Sequence, residues 1–342
     1  MNNSDSKIKY GSILLIGSGE TTSTGRILHE QLFKKIDKNP IYISVLETPA
    51  GFETNSEFVA QEVDIFFNQK LQNYHPVVEI IHARRNEGLF STNSDKIVSG
   101  IKNADHIYLG AGSPTYLAKH LRDSLAMKYI RLQHEKGSSI CLTSASSIAF
   151  SKWLLPVYEI FKVGEDLHWD NGLDFFQLFN LDISVIPHWN NNDGGLKIDT
   201  SHCYLGKDRM GKLIDLLPTS AVIIGIDEHT GLLMDFDKQI GFVIGKGSVY
   251  VLKNGIGKQF SDQTIIPFGY LGAFNYPNVF RYTDDTDIGT NNIPLEIKNM
   301  AELRWEARKK QHWEEADELR FKISELGYFI KDSIDGYDLI NG

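Results

Sequence analysis

A serine, a histidine and several carboxylates stand at the ends of short apolar runs, where an α/β chain keeps its reactive groups. Ser144 lies in Cys141-Leu142-Thr143-Ser144-Ala145-Ser146-Ser147, directly after the apolar run that starts at Ser139. A serine on a sharp strand-to-helix turn projects its hydroxyl above the sheet, and the N–H of the next residue, Ala145, can serve an oxyanion hole. The structural alternative for such a serine is a helix cap. His188 follows Ile183-Ser184-Val185-Ile186 and enters the polar loop Trp189-Asn190-Asn191-Asn192-Asp193. There it is placed to act as a general base, or merely to hydrogen-bond its loop.

Two Gly-rich turns accompany them. In Gly110-Ala111-Gly112-Ser113-Pro114-Thr115, small residues admit a ligand close to backbone. Free N–H groups there can hold developing negative charge, and Pro114 suits a first helical turn. Gly17-Ser18-Gly19-Glu20 has neither a Walker lysine nor a dinucleotide fingerprint, so a tight turn is the reading. His188, Asp193, His202 and Cys203 lie near one another in sequence but match no zinc spacing, so no metal and no cofactor is expected.

The elements that must position these residues alternate in type. Apolar, β-branched runs at Ile13–Ile16, Ile41–Val45, Val77–Ile81, His106–Leu109, Ser139–Leu142, Ile183–Ile186 and Ala221–Ile224 read as strands. Between them lie helical patterns such as Pro114 to Gln133, with Leu117, Leu121 and Leu125 four apart. Alternation of this kind predicts an α/β fold, a three-layer sandwich around a mostly parallel sheet, with ligands beyond the strands' carboxyl ends. Closely spaced runs from Leu232 to Leu252 read as antiparallel strands that finish the sheet. Lys253 to Asn292, rich in Gly and Pro, reads as a loop or linker. From Leu295 a helical pattern returns, with the stripe Trp313, Ala316, Leu319, Ile323 and Leu326, followed by a hairpin pattern across Tyr328–Lys331 and Tyr337–Leu339.

With 342 residues, 42% hydrophobic and 23% charged, the chain suits one large domain plus a small appendage. Its net charge of −9 argues against a general nucleic-acid coat. Two cysteines, Cys141 and Cys203, are too few for a disulfide framework, and the polar stretch Met1–Lys9 has no apolar signal core. A cytoplasmic protein without a membrane span is the expectation.

Taken together, these segments resemble the cyanophycinase and dipeptidase E family of serine peptidases, whose fold is related to class I glutamine amidotransferases. The resemblance runs from about Gly11 to Gly255. It rests on Gly17–Glu20, on Gly110–Gly112, on Leu142–Ser147 in place of a Gly-x-Ser-Ala-Gly-Ala motif, and on Ile186-Pro187-His188. Gly225-Ile226-Asp227-Glu228-His229-Thr230-Gly231 is its most specific match. The resemblance implies a nucleophile at Ser144, a base at His188 and an oxyanion hole at Gly112 and Ala145. Its acid, about fifteen positions after the nucleophile, falls on Glu159, with Glu165 and Asp166 as competitors. Both glycines of the nucleophile motif are replaced, by Leu142 and Ser146; Ser146 is small enough to be tolerated, and Leu142 is expected either to narrow the approach to Ser144 or to alter the oxyanion hole. An aspartyl substrate is implied, so Arg84 and Arg85 are the candidate substrate-binding cations.

The last segment resembles something else: Leu303–Arg308, Trp313–Arg320 and Leu326-Gly327 look like the C-terminal helical module of cysteinyl-tRNA synthetase, which contributes to tRNA binding. Arg304, Arg308, Lys309 and Lys310 are expected on a basic helix edge, although residues 295–342 hold eight Lys or Arg against eleven Asp or Glu, a net of −3. Docking to a protein partner or a homodimer is an equal alternative. The expected organisation is therefore an α/β domain over 1–257, a linker over 258–294, and a helical-hairpin and β-hairpin module over 295–342. The expected function is serine-type hydrolysis of a small peptide or isopeptide. A binding scaffold whose tail contacts tRNA or a protein is the alternative.

Overall fold

The computed structural model describes residues 9–277, 295–310, 312–326, 328–332 and 336–341. The strands are β1 (Ile13–Ile16), β2 (Ile41–Leu46), β3 (Pro76–Ile81), β4 (His106–Leu109), β5 (Ser139–Thr143), β6 (Trp153–Leu154), β7 (Asp170–Asn171), β8 (Ile183–Ile186), β9 (Val222–Ile226), β10 (Thr230–Asp235), β11 (Ile240–Gly245), β12 (Ser248–Lys253), β13 (Ile256–Ser261), β14 (Ile265–Pro267), β15 (Tyr328–Asp332) and β16 (Tyr337–Asn341). The helices are α1 (Ser23–Phe33), α2 (Ser56–Lys70), α3 (Asp95–Val98), α4 (Pro114–Leu121), α5 (Leu125–Glu135), α6 (Ala145–Ala149), α7 (Lys207–Asp215), α8 (Leu295–Lys309) and α9 (Trp313–Glu325), and a single π turn spans Glu159–Val163.

Eight strands form the main sheet in the order β14-β11-β10-β1-β5-β4-β2-β3. β1, β5, β4, β2 and β3 are parallel; β10, β11 and β14 close the other side antiparallel. The central strands β1, β4 and β5 are buried along their whole length, as strands covered on both faces are, whereas the edge strand β3 is only partly buried and carries Glu79. Alternate residues face opposite layers. Leu14, Ile16, Ile43 and Val45 pack with Leu28, Leu32, Phe66 and Phe67 of α1 and α2. Ile13, Leu15, Leu109 and Leu142 pack with Leu117, Leu121, Ile130 and Ile148 of α4, α5 and α6. The three-layer α/β arrangement follows from those two cores.

Three expectations change. The runs at 183–186 and 222–226 do not extend the main sheet. They pair with each other in parallel and with the hairpin β12–β13, giving a second sheet, β13-β12-β9-β8, whose side chains enter the α4–α6 core. Apolar runs disclose strands but not partners. The helix expected over Pro114–Gln133 is two helices, because Asp123 adopts a left-handed φ of 54° and Ser124 starts α5 by accepting the Met127 N–H. The stretch from 258 that reads as linker contains most of β13 and all of β14. Phe260, Ile266, Phe268 and Leu271 within it are core residues; its remainder, 278–294, lies outside the described residues.

The chain divides into a unit ending at Tyr282 and one beginning at Thr283. The second unit packs Ile297, Ala301, Ile323 and Ile330 between α8, α9 and the antiparallel β15–β16 hairpin. In the expected α9 stripe, Ala316 and Ile323 are buried whereas Trp313 and Leu326 are exposed. Arg304 is not on a basic edge either. It is fully buried and makes a bidentate pair with Asp332 at 2.7 and 2.8 Å, while Arg308 lies 3.5 Å from the same carboxylate. Among the described residues no helix is long and apolar enough to cross a membrane.

Candidate active site

β5 delivers Ser144 at the centre of the main sheet. Its φ of 46° and ψ of −114° put it outside the ordinary regions for a side-chain-bearing residue, at a cost of order 1–3 kcal/mol. Neighbours hold it there. The Ser144 N–H donates to Ile16 O at 3.1 Å, and the Ser147 hydroxyl donates to Ser144 O at 2.7 Å. The two replaced glycines find their explanation here. Leu142 is fully buried and packs in the core with α4, α5 and α6. Ser146 donates its hydroxyl to Gly110 O at 2.5 Å, which fastens the nucleophile turn to the end of β4.

β8 and β9 deliver the other two groups. Ile186 pairs with Gly225, so the chain segments leaving these strands emerge side by side. His188 Nε2 lies 2.9 Å from Ser144 Oγ, and His188 Nδ1 lies 2.9 Å from Glu228 Oε1. A carboxylate at Nδ1 fixes the proton on that nitrogen and leaves Nε2 to accept from the serine. Glu228 is itself oriented: Asn191 donates to Oε1 at 3.0 Å, and the Glu228 N–H donates to Asn190 Oδ1 at 2.8 Å. The hydrogen bond from His188 holds the Glu228 carboxyl down at about 2 against the opposing effect of burial, with help from Asn191.

The acid beside His188 is therefore Glu228, not Glu159. Glu159 Oε1 accepts instead from Thr115 Oγ1 at 2.6 Å, and Thr115 is linked to Ser113 at 3.0 Å. Glu165 and Asp166 sit exposed, with Glu165 Oε2 3.8 Å from His168. Sequence reasoning singled out the segment 225–231 but assigned none of its residues a role. The missing signal was the β8–β9 pairing, which puts a strand-end carboxylate next to a strand-end histidine.

Gly112 leaves β4 beside the nucleophile turn, since Leu109 pairs with Leu142. Its φ is +154°, and a Cβ there would fall 1.9 Å from Pro49 O, so only glycine permits this close passage. Ala145 begins α6 immediately after Ser144. Arg84 and Arg85 behave differently from expectation. Arg84 Nε is paired with the buried Glu47 at 2.5 Å and its guanidinium covers Phe90, while Arg85 faces Glu87 at 3.3 Å in solvent. A cleft of about 760 Å³ opens beside Ser113 and Thr115; its cations are Lys119 and Lys162, and neither arginine lines it. Among the described residues no cluster of three His, Cys, Asp or Glu side chains could hold a metal ion. Cys203 is buried, and burial pushes its thiol up to about 12.

No family model and no curated protein matches the chain. Solved structures do. A peptidase from an acI-B1 Actinobacterium superposes with a TM-score of 0.61 at 23% identity, over 77% of this chain and 98% of that one. A protein described as a candidate Peptidase E from Listeria monocytogenes EGD-e gives a TM-score of 0.43 at 17% identity, over 74% and 100%. The first of these shows a fold in common with a peptidase.

Proposed function

We propose that this protein is a serine-type hydrolase of peptide or isopeptide bonds, with Ser144, His188 and Glu228 as its triad. The observation that carries this reading is the continuous line of two 2.9 Å contacts, Ser144 Oγ to His188 Nε2 and His188 Nδ1 to Glu228 Oε1. In this mechanism Ser144 Oγ attacks the scissile carbonyl carbon as its proton passes to His188 Nε2. Glu228 stabilises the imidazolium without taking its proton. The N–H groups of Ala145 and Gly112 receive the oxyanion. His188 then protonates the leaving amine, and water repeats the sequence on the acyl-enzyme to release the acid. The strained backbone at Ser144 supports the reading, since such strain clusters at active sites.

The test is labelling with a small alkyl fluorophosphonate, in which a Ser144 Oγ–P bond forms and fluoride leaves. The expected result is stoichiometric modification of Ser144, and none in Ser144→Ala. A folded, unlabelled wild-type protein would return the chain to a binding scaffold.

A further inference from the structure

The cleft beside the oxyanion turn has a composition that an aspartyl-selective site would not have. Its walls carry Phe52, Tyr116, Tyr158 and Val163. Phe52, Tyr158 and Val163 are 51%, 38% and 72% exposed, so large apolar surface faces solvent along one opening. Phe52 and Tyr116 are ring neighbours at 5.2 Å, and Tyr116 is pinned by a 2.9 Å hydrogen bond from its hydroxyl to Arg84 O. The charged lining is balanced, Glu53 and Glu159 against Lys119 and Lys162, so the cleft as a whole favours neither sign.

Its position relative to the chemistry is set from two sides. Ser113 and Thr115 follow Gly112 directly, so the cleft begins where the oxyanion turn ends. The π turn that bears Glu159, Lys162 and Val163 also bears Phe161, whose ring lies 5.8 Å from Tyr204, and Tyr204 lies 5.8 Å from His188. A carbonyl whose oxygen sits at Gly112 and Ala145 would direct the side chain on its α-carbon into this space. An aromatic side chain carries the largest apolar area per residue and stacks against rings held at an angle. A carboxylate would find only solvated lysine ammonium groups there, which contribute little.

Resting on the serine-hydrolase reading, we propose that this cleft is the specificity pocket and that it selects a peptide with an aromatic residue contributing the scissile carbonyl. The cleft is the size of pockets that bury a small ligand, roughly 300–1,000 Å³.

Second-order inactivation by α-aminoalkyl diphenyl phosphonates separates the two claims, because it reads the side chain without needing a known substrate. Three probes are compared, carrying benzyl, methyl and carboxymethyl side chains. The benzyl probe should react at least about 100-fold faster than the methyl one, the scale of discrimination a hydrophobic pocket achieves. The carboxymethyl probe should show no such gain. Tyr158→Ala should lower the benzyl-to-methyl ratio about tenfold. Equal rates, or a carboxymethyl preference, in protein that the alkyl fluorophosphonate still labels would overturn the pocket assignment and leave the hydrolase reading standing. A benzyl preference that Tyr158→Ala and Phe52→Ala both leave intact would also overturn it. Protein that the fluorophosphonate does not label would overturn both.

Discussion

Glu228 is the residue on which the direction of proton transfer depends in the proposed mechanism. Its carboxylate faces His188 Nδ1, and the same bond holds it ionised to a pH of about 2. An amide in its place can present its NH₂ to Nδ1 and favour the wrong tautomer. Glu228→Gln is therefore expected to lower kcat by about 10⁴, the magnitude seen when a triad acid becomes its amide. Glu159→Gln should cost less than about tenfold, because Gln still accepts from Thr115. Steady-state kinetics of the two variants side by side decide between the carboxylates, and a larger loss in Glu159→Gln would reverse the assignment made here. Ser144 and His188 were legible in the sequence because each follows an apolar run at a strand end. Glu228 was not, since its role depends on a strand pairing across about forty residues that no periodicity encodes.

Elements impose a second kind of chemistry, through the histidines they bury. His29 of α1 lies among the rings of Phe33, Phe66 and Phe67, and burial pushes it down to about 4, partly offset by the Glu20 carbonyl. Burial pushes His134 of α5 to about 3. Because the folded-state value lies below the unfolded one, the unfolded chain binds the proton first as pH falls. The stability that neutral His29 contributes is complete above about pH 6.5 and lost progressively down to about pH 4. The amount is on the order of 3 kcal/mol. His29→Leu should remove that part of the decline, leaving a flatter profile of urea unfolding free energy between about pH 7 and pH 4. A variant whose profile falls as steeply as the wild type would show that another group sets the acid sensitivity. None of this was visible beforehand. The period of four in α1 marks a buried face, but it does not say that a histidine on that face lacks compensating charge.

For the molecule as a whole, the boundary between the two units is where reading the sequence and reading the fold differ most. Glycines, prolines and weak periodicity made 258–294 look like a linker, yet β14 pairs with β11 to complete the main sheet, and β13 pairs with β12. With three residues β14 is too short to show alternation, β13 is exposed at every position but Phe260, and the Gly and Pro in and around them mimic a linker. The consequence is a prediction about where the chain tolerates an end. A chain stopped after Gly257 loses Phe260, Ile266, Phe268 and Leu271, each no more than 7% exposed, along with the partner strands of β11 and β12. Removing one large buried apolar side chain costs about 2–5 kcal/mol. Four of them together reach the roughly 5–15 kcal/mol that holds a domain folded. A chain stopped after Tyr282 keeps all four and loses only the unit whose core is Ile297, Ala301, Ile323 and Ile330. Expression of both lengths, followed by thermal unfolding and fluorophosphonate labelling, is the measurement. The 282-residue chain should unfold cooperatively near the full-length temperature and retain a labelled Ser144, whereas the 257-residue chain should be insoluble or unfolded. If the shorter chain proves as stable as the longer one, β13 and β14 contribute nothing to the main core and the unit boundary belongs at Gly257.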